Sequence, residues 1–225
     1  MKKLFGTDGV RGVANTTLTP ELAFSLGRFG SYVLTKTPPT TNNYIIIGRD
    51  TRQSGDMLSA SISSGICSLG VDVWDVGVAP TPVIAWLVRK FQALAGIVIS
   101  ASHNPAQDNG IKFFNNLGGK LDDELELEIE SLIESTGDNL PRPIGGEVGR
   151  ICDKSDIITT YVDYIEQICT YPLNKLKVGV DTSNGANFHL APLVYDSLDI
   201  EYKVINNTPN GKNINLNCGS THLEG

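Results

Sequence analysis

The sequence predicts an α/β protein. It has a mixed sheet with helices on both faces, then a second, shorter α/β unit. Short apolar runs of strand length alternate with stretches of helical periodicity. The runs end in small polar and glycine-rich loops, in keeping with 23 glycines among 225 residues. A glycine- and proline-rich stretch, Thr136 to Gly149, interrupts the alternation, which restarts beyond it. This places a first domain over residues 1–140, a linker over 141–154 and a partial second domain over 155–225.

Thr19-Pro20-Glu21 is a helix start, with threonine as cap and proline at the first helical position, and the helix runs to about Leu34. After a polar loop with two prolines, Tyr44 to Ile47 reads as a strand ending at Gly48-Arg49-Asp50-Thr51-Arg52. Arginines past a strand end either face a ligand or brace the loop, and at least one is expected to pair with Asp50. Ser54 to Leu69 is a helix of small residues, Val71 to Val76 a strand, and Pro82 to Phe91 a largely buried helix. Trp74 and Trp86 read as core. Ala95 to Ile99 and Ile111 to Phe114 are strands on either side of a loop, with Asp108-Asn109-Gly110 as a turn signal. Leu121, Leu125, Ile129, Leu132 and Ile133 stripe an acidic helix whose glutamate face reads as solvated. In the second unit Ser155 or Asp156 caps a helix to Cys169. Lys177 to Val180, His189 to Leu198 and Tyr202 to Ile205 follow as strand, helix and strand. Asp181 to Ala186 reads as a tight turn and helix cap.

Composition narrows the function. A net charge of −7 argues against a nucleic-acid surface, which would be basic. No apolar run approaches a membrane span, and glycine and aspartate interrupt the residues after Met1-Lys2-Lys3 where a signal peptide would be apolar. Cys67, Cys152, Cys169 and Cys218 are scattered, which suits reduced thiols and a cytoplasmic setting. With His103, His189 and His222 they show no zinc-ligand spacing.

The informative stretch is Ile99-Ser100-Ala101-Ser102-His103-Asn104-Pro105. It ends a buried strand, where loops of α/β sheets overlie the ligand crevice. A serine there can act as nucleophile or phosphate carrier if cations surround it. Equally, Ser-His-Asn can simply cap a turn. Lys112 follows in an otherwise apolar strand. A second glycine-rich loop, Gly6-Thr7-Asp8-Gly9-Val10-Arg11-Gly12, lets backbone approach a ligand and offers Arg11 to a phosphate, but it is not a nucleotide phosphate loop. A serine hydrolase is disfavoured, because no G-x-S-x-G elbow surrounds Ser102 and a histidine adjacent in sequence rarely reaches back to the preceding hydroxyl.

The Ser102 loop resembles the phosphoserine loop of the α-D-phosphohexomutase superfamily. Phe5 to Gly12 and Cys218 to Glu224 resemble its bacterial glucosamine-phosphate branch. The resemblance implies an enzyme that interconverts phosphosugars through phosphorylated Ser102 and a sugar bisphosphate, on the way to cell-wall amino sugars. It implies Arg11 and Lys112 as base, acid and charge support, with His103 orienting the phosphate. Thr7, Asp8, Gly9 and Asn104 would contact substrate. One Mg²⁺ would be bound through the Ser102 phosphate, and its aspartate ligands would lie beyond Gly225. On that account the chain is an N-terminal fragment, inactive alone, with an incomplete second domain of topology similar to the first and two later domains absent. A phosphomannomutase or phosphoglucomutase, or a non-catalytic phosphosugar-binding module, are the alternatives. The implied partner is a phosphosugar, with no nucleic acid or membrane, and homodimerisation through an unpaired sheet edge is expected.

Overall fold

The computed structural model describes residues 4–36, 42–135 and 137–222. Met1 to Lys3, the proline pair Pro38-Pro39, Thr136 and the closing Leu223, Glu224 and Gly225 lie outside the described residues. The elements are β1 (Val10–Val13), α1 (Pro20–Thr35), β2 (Tyr44–Arg49), α2 (Ser54–Cys67), β3 (Asp72–Val78), α3 (Thr81–Phe91), β4 (Ala95–Ile99) and β5 (Asp108–Phe114). They continue with α4 (Asp123–Glu134), β6 (Ile151–Asp153), α5 (Thr159–Ile168), β7 (Lys177–Asp181), α6 (Leu190–Ser197) and β8 (Glu201–Ile205).

Six strands form one mixed sheet in the order β1-β5-β4-β2-β3-β6, while β7 and β8 pair in parallel as a separate two-stranded sheet. The centre, β4-β2-β3, is parallel, and β5 and β1 are antiparallel to their neighbours. Ile45, Ile47, Ile97 and Ile99 face α1, α2 and α4, whereas Ile46, Val76 and Val98 face α3. Burial on both faces is why these strands read as continuous apolar runs. Helix α1 starts as its sequence requires, with Thr19 Oγ1 accepting the Leu22 N–H at 3.2 Å. It lies directly against α2, where a Cβ on Gly65 would collide with the Phe24 carbonyl oxygen.

Several sequence expectations shift. Asp108-Asn109-Gly110 is strand, not turn: it pairs with β1, whose short run was not recognised, in the register Val13↔Asp108, Gly12↔Asn109, Arg11↔Gly110. The turn lies earlier, and the antiparallel partner supplies the ladder that local propensity does not. Part of the expected linker is also built into the first sheet, because Ile151–Asp153 pairs in parallel with β3. The expected helix from Ser155 begins as a 3₁₀ turn, Ser155–Ile158, before α5. Ile158, Val162 and Leu190 then join the α3 side of the core, so the second unit packs on the first. The acidic helix α4 is not wholly solvated on its glutamate face. Glu130 is 5% exposed and accepts the N–H groups of Leu4 and Phe5, both at 2.7 Å, fixing the entry to the Gly6 loop. Trp74 stacks on Tyr44, and Trp86 meets Tyr161 and Tyr164 of α5.

Candidate active site

The parallel strands β2, β3 and β4 all end on one side of the sheet, and the loops leaving them meet there. Asp50 to Gln53 follows β2, Ala79 to Thr81 leads into α3, and Ser100 to Gln107 joins β4 to β5. Across from them lies the loop Asp181 to Asn187 at the end of β7. Between the two walls is a cleft of about 330 Å³, lined by Asp50, Ser100, Ser102, His103, Asp181 and Ser183 among others. The N-terminal end of α3, at Thr81 and Pro82, opens onto it and adds the positive end of a helix dipole.

Ser102 is exposed at the mouth of this cleft with φ +56°, in the left-handed region that a non-glycine residue enters at a cost of about 1–3 kcal/mol. Backbone bonds hold it there. Its N–H donates to Ser100 Oγ at 3.0 Å. Its carbonyl accepts from Arg52 Nη2 at 3.2 Å and from Asn215 Nδ2 at 2.9 Å. Asn104 Nδ2 donates to Asp108 Oδ2 at 2.9 Å and closes the far side of the turn. The Ser102 side chain and exposed His103 are left facing the cleft.

Arg52 lies beneath the loop at 2% exposure, paired with Asp50, which is itself buried. Of the two arginines after β2, Arg52 is therefore the brace. Arg49 pairs with Asp56 at 2.9 Å and Asp75 at 3.4 Å. Arg52 also places its guanidinium, paired with Asp50, beneath the carbonyls of Ser102 and Asn104.

The structure brings Asp8, Arg11 and Lys112 together as a second group. Asp8 Oδ2 lies 2.6 Å from Arg11 Nη2 and 2.8 Å from Lys112 Nζ. Burial would raise the Asp8 carboxyl, but Lys112 and then Arg11 outweigh it and hold the group below its ordinary value. Gly9, at φ +87°, packs so closely on β5 that a Cβ would collide with the Ile111 carbonyl oxygen. Thr7, Asp8, Gly9 and Arg11 line a separate hollow of about 270 Å³. No bond among the described residues joins this group to the Ser102 side chain, but sheet register aligns the two. Arg11 opposes Gly110, Ser100 N–H donates to the Gly110 carbonyl at 2.8 Å, and Lys112 opposes Val98. Residues at these positions share one face of the sheet, the face on which Val98 lines the cleft.

This fold and loop arrangement can be set beside known proteins. Residues 2–139 match the family model described as phosphoglucomutase/phosphomannomutase, alpha/beta/alpha domain I. The chain belongs to the phosphoglucomutase/phosphomannomutase family. Curated relatives include phosphoglucosamine mutase of Desulforamulus reducens, 56% identical over all of this chain and 50% of the relative. Phosphoglucosamine mutase of Ruminiclostridium cellulolyticum is 51% identical over 99% of this chain and 49% of the relative. The chain thus spans about half the length of the curated relatives it matches. The crystal structure of a phosphoglucomutase/phosphomannomutase family protein from Burkholderia thailandensis superposes with a TM-score of 0.75. It is 28% identical and covers 92% of this chain and 44% of that one.

The Mg²⁺ implied by likeness to the phosphoglucomutase/phosphomannomutase family finds no completed ligand set here. Among the described residues no three His, Cys, Asp or Glu side chains cluster to hold an ion. The carboxylates that line the Ser102 cleft are committed elsewhere. Asp50 binds Arg52, and Asp181 accepts from Ser183 N, Gly219 N and Asn206 Nδ2 at 2.8 to 3.0 Å. A metal at Ser102 needs other carboxylates. Sequence reasoning missed two contributors to the cleft. The Asp181 loop reads in sequence as a turn and helix cap, yet it lines the cleft, and its strand-end position is the same signal that marks the Ser102 loop. Asn215 has no signal in sequence, since only the packing of one unit on the other carries it to Ser102.

Proposed function

We propose that the chain forms the phosphate-carrying half of a phosphoglucosamine mutase. The observation behind this reading is Ser102, held in a left-handed turn at the strand ends with its hydroxyl facing a polar cleft. The identities of 51 and 56% to curated phosphoglucosamine mutases support the sugar. A cavity of this size suits a small ligand with a few converging polar groups.

The steps are these. Phosphorylated Ser102 gives its phosphoryl group to the free hydroxyl of glucosamine 6-phosphate. The P–O bond to Ser102 breaks, a P–O bond to the sugar forms, and the sugar hydroxyl proton leaves. The bisphosphorylated sugar turns over, and Ser102 takes back the other phosphoryl group, releasing glucosamine 1-phosphate. Such transfers rest on positioning and on cations that meet the developing charge. Arg52 supplies a charge under the loop, and Arg11 adds charge support, since an arginine is a poor base. Lys112 is the residue assigned to proton transfer, His103 orients the phosphate, and Asn104 shapes the turn. Thr7 and Gly9 present backbone to the sugar or its phosphate. Asp8 pairs with both cations and lines the same hollow as Thr7 and Gly9, where it contacts substrate. Mg²⁺ and a sugar bisphosphate activator belong to the whole protein on the family likeness. The described free thiols suit a cytoplasmic setting.

The test is a coupled mutase assay on the full-length protein. It compares glucosamine 6-phosphate with glucose 6-phosphate and mannose 6-phosphate, with Ser102→Ala as control. The reading expects the highest kcat/KM for glucosamine 6-phosphate and none of it in Ser102→Ala. Preference for a hexose phosphate would move the chain to another branch.

A further inference from the structure

Two side chains from different parts of the fold bind the same pair of carbonyls in the serine loop. Arg52 Nη2 donates to the carbonyl oxygens of Ser102 at 3.2 Å and Asn104 at 2.6 Å. Asn215 Nδ2 donates to the same two oxygens, at 2.9 and 3.0 Å. The two arms are built differently. Arg52 is buried, its Nη1 is pinned by Asp50, and the Asp50 N–H is bonded to the Ile99 carbonyl at 3.0 Å. That arm is a fixed strut from the central strands. Among the described residues the Arg52 Nε has no partner, so the guanidinium is held by what its two Nη atoms reach. Asn215 belongs to the second unit. Its own N–H donates to the Ser183 carbonyl at 2.9 Å, and Ser183 lines the opposite wall of the cleft. One asparagine therefore spans from one wall to the residue proposed to react on the other.

Neighbouring bonds make this a seam. Thr51 Oγ1 donates to the Asn184 carbonyl at 2.5 Å, and Gln53 N–H donates to the Gly211 carbonyl at 3.0 Å. These bonds fasten the units beside the loop, and among the described residues of the second unit Asn215 is the one that bonds to Ser102. A residue outside the ordinary backbone regions stays there only while its surroundings fix it. Removing one of two donors lets the loop relax without unfolding either wall.

We propose that Asn215 is a positioning residue for phosphoryl transfer: by binding the Ser102 and Asn104 carbonyls it makes the conformation of the serine loop depend on how the second unit is seated. The proposal rests on the reading of Ser102 as phosphate carrier. Opening the seam would leave the Ser102 and Asn104 carbonyls with the Arg52 donor and without the Asn215 one, and closing it would restore the orientation from which transfer proceeds.

The experiment uses the full-length protein and two variants, Asn215→Ala, which deletes the donor, and Asn215→Asp, which keeps the shape but presents oxygen to two carbonyls. Turnover with glucosamine 6-phosphate and hydrogen exchange of the peptide spanning residues 100–107 are measured together. Misplacement of a reacting group lowers kcat more than KM, so we expect kcat down about 10-fold or more with KM within about 2-fold in both variants. Exchange should quicken in residues 100–107 while β4 and α2 stay as protected as before. A folded variant with unchanged kcat overturns the proposal. So does faster exchange spread over α5, α6, β7 and β8 with none in the serine loop, which would make Asn215 merely structural. Ser102→Ala separates the two ideas. If it retains turnover, the phosphate-carrier reading fails, whereas loop exchange in Asn215→Ala still reports on the clamp.

Discussion

Asp8 governs how Lys112 and Arg11 are presented. It carries one negative charge between two cations and is half exposed. Burial works against the charged carboxylate, and the two cations overcome it, so Asp8 titrates below its ordinary 3.8 in the folded chain. A carboxyl lowered on folding contributes stability above its unfolded value and loses that contribution as pH falls through the lowered one. Thermal unfolding of Asp8→Asn beside the parent should differ at neutral pH, and the gap should close in that acid window. A gap that persists below it would show that the ion pairs are not its source. Lys112 is 8% exposed, and among the described residues its charge pairs with Asp8, which is half exposed. Lys112→Met in full-length protein should therefore fold normally and lose about 10²–10⁴-fold in turnover, the usual range for general acid–base groups. Normal turnover would remove Lys112 from proton transfer. Lys112 was legible in the sequence as a lysine in an apolar strand. Its partner was not, because the contact depends on the β1–β5 register and nothing in Val10–Val13 announced a strand.

At the scale of elements, two contacts fix the platform under the site. Helices α1 and α2 meet backbone to backbone at Gly27 and Gly65, and a Cβ at either would strike a carbonyl oxygen of the facing helix. Gly65→Ala should destabilise by about 1–3 kcal/mol, the usual cost of overpacking, read from denaturant midpoints at constant slope. No change would mean that the helices can move apart freely. Arg28 of α1 is buried and donates to both carboxylate oxygens of Asp138, at 2.5 and 2.9 Å, and to the Leu140 and Pro141 carbonyls. It thereby ties the chain after α4 to the helix pair. Asp138→Ala leaves that charge with backbone carbonyls and the Ser68 hydroxyl, and should cost about 2 kcal/mol, which chemical unfolding would measure. Elements α1 to α4 were readable because their apolar spacing, with the Thr19 cap of α1 and the prolines that open α1 and α3, is local. Strand β6 was not, because three residues amid glycine and proline become a strand only beside β3. Glu130 was hidden for a related reason, since its role comes from the N–H groups of Leu4 and Phe5.

Taken whole, the molecule is a six-stranded sheet with a smaller parallel pair packed at its strand ends. Among the described residues β7 and β8 pair only with each other. An unpaired strand edge invites another chain, and two strands are a marginal sheet. Sedimentation of this chain should show concentration-dependent self-association, and a single monomer species at every concentration would show that the edges are protected. The sequence carried the order of strands and helices and the Ser102 loop, because alternation and turn chemistry are written locally. It did not carry the cleft, whose second wall, with Ser183 and Asn215, depends on how one unit seats on the other. The central claim is that Ser102 carries the transferred phosphate. Peptide mass spectrometry of the full-length protein after incubation with a sugar bisphosphate tests it most directly. The account predicts a single added phosphate on Ser102, absent from Ser102→Ala together with turnover. Phosphate on Ser100, or turnover that survives Ser102→Ala, would contradict it.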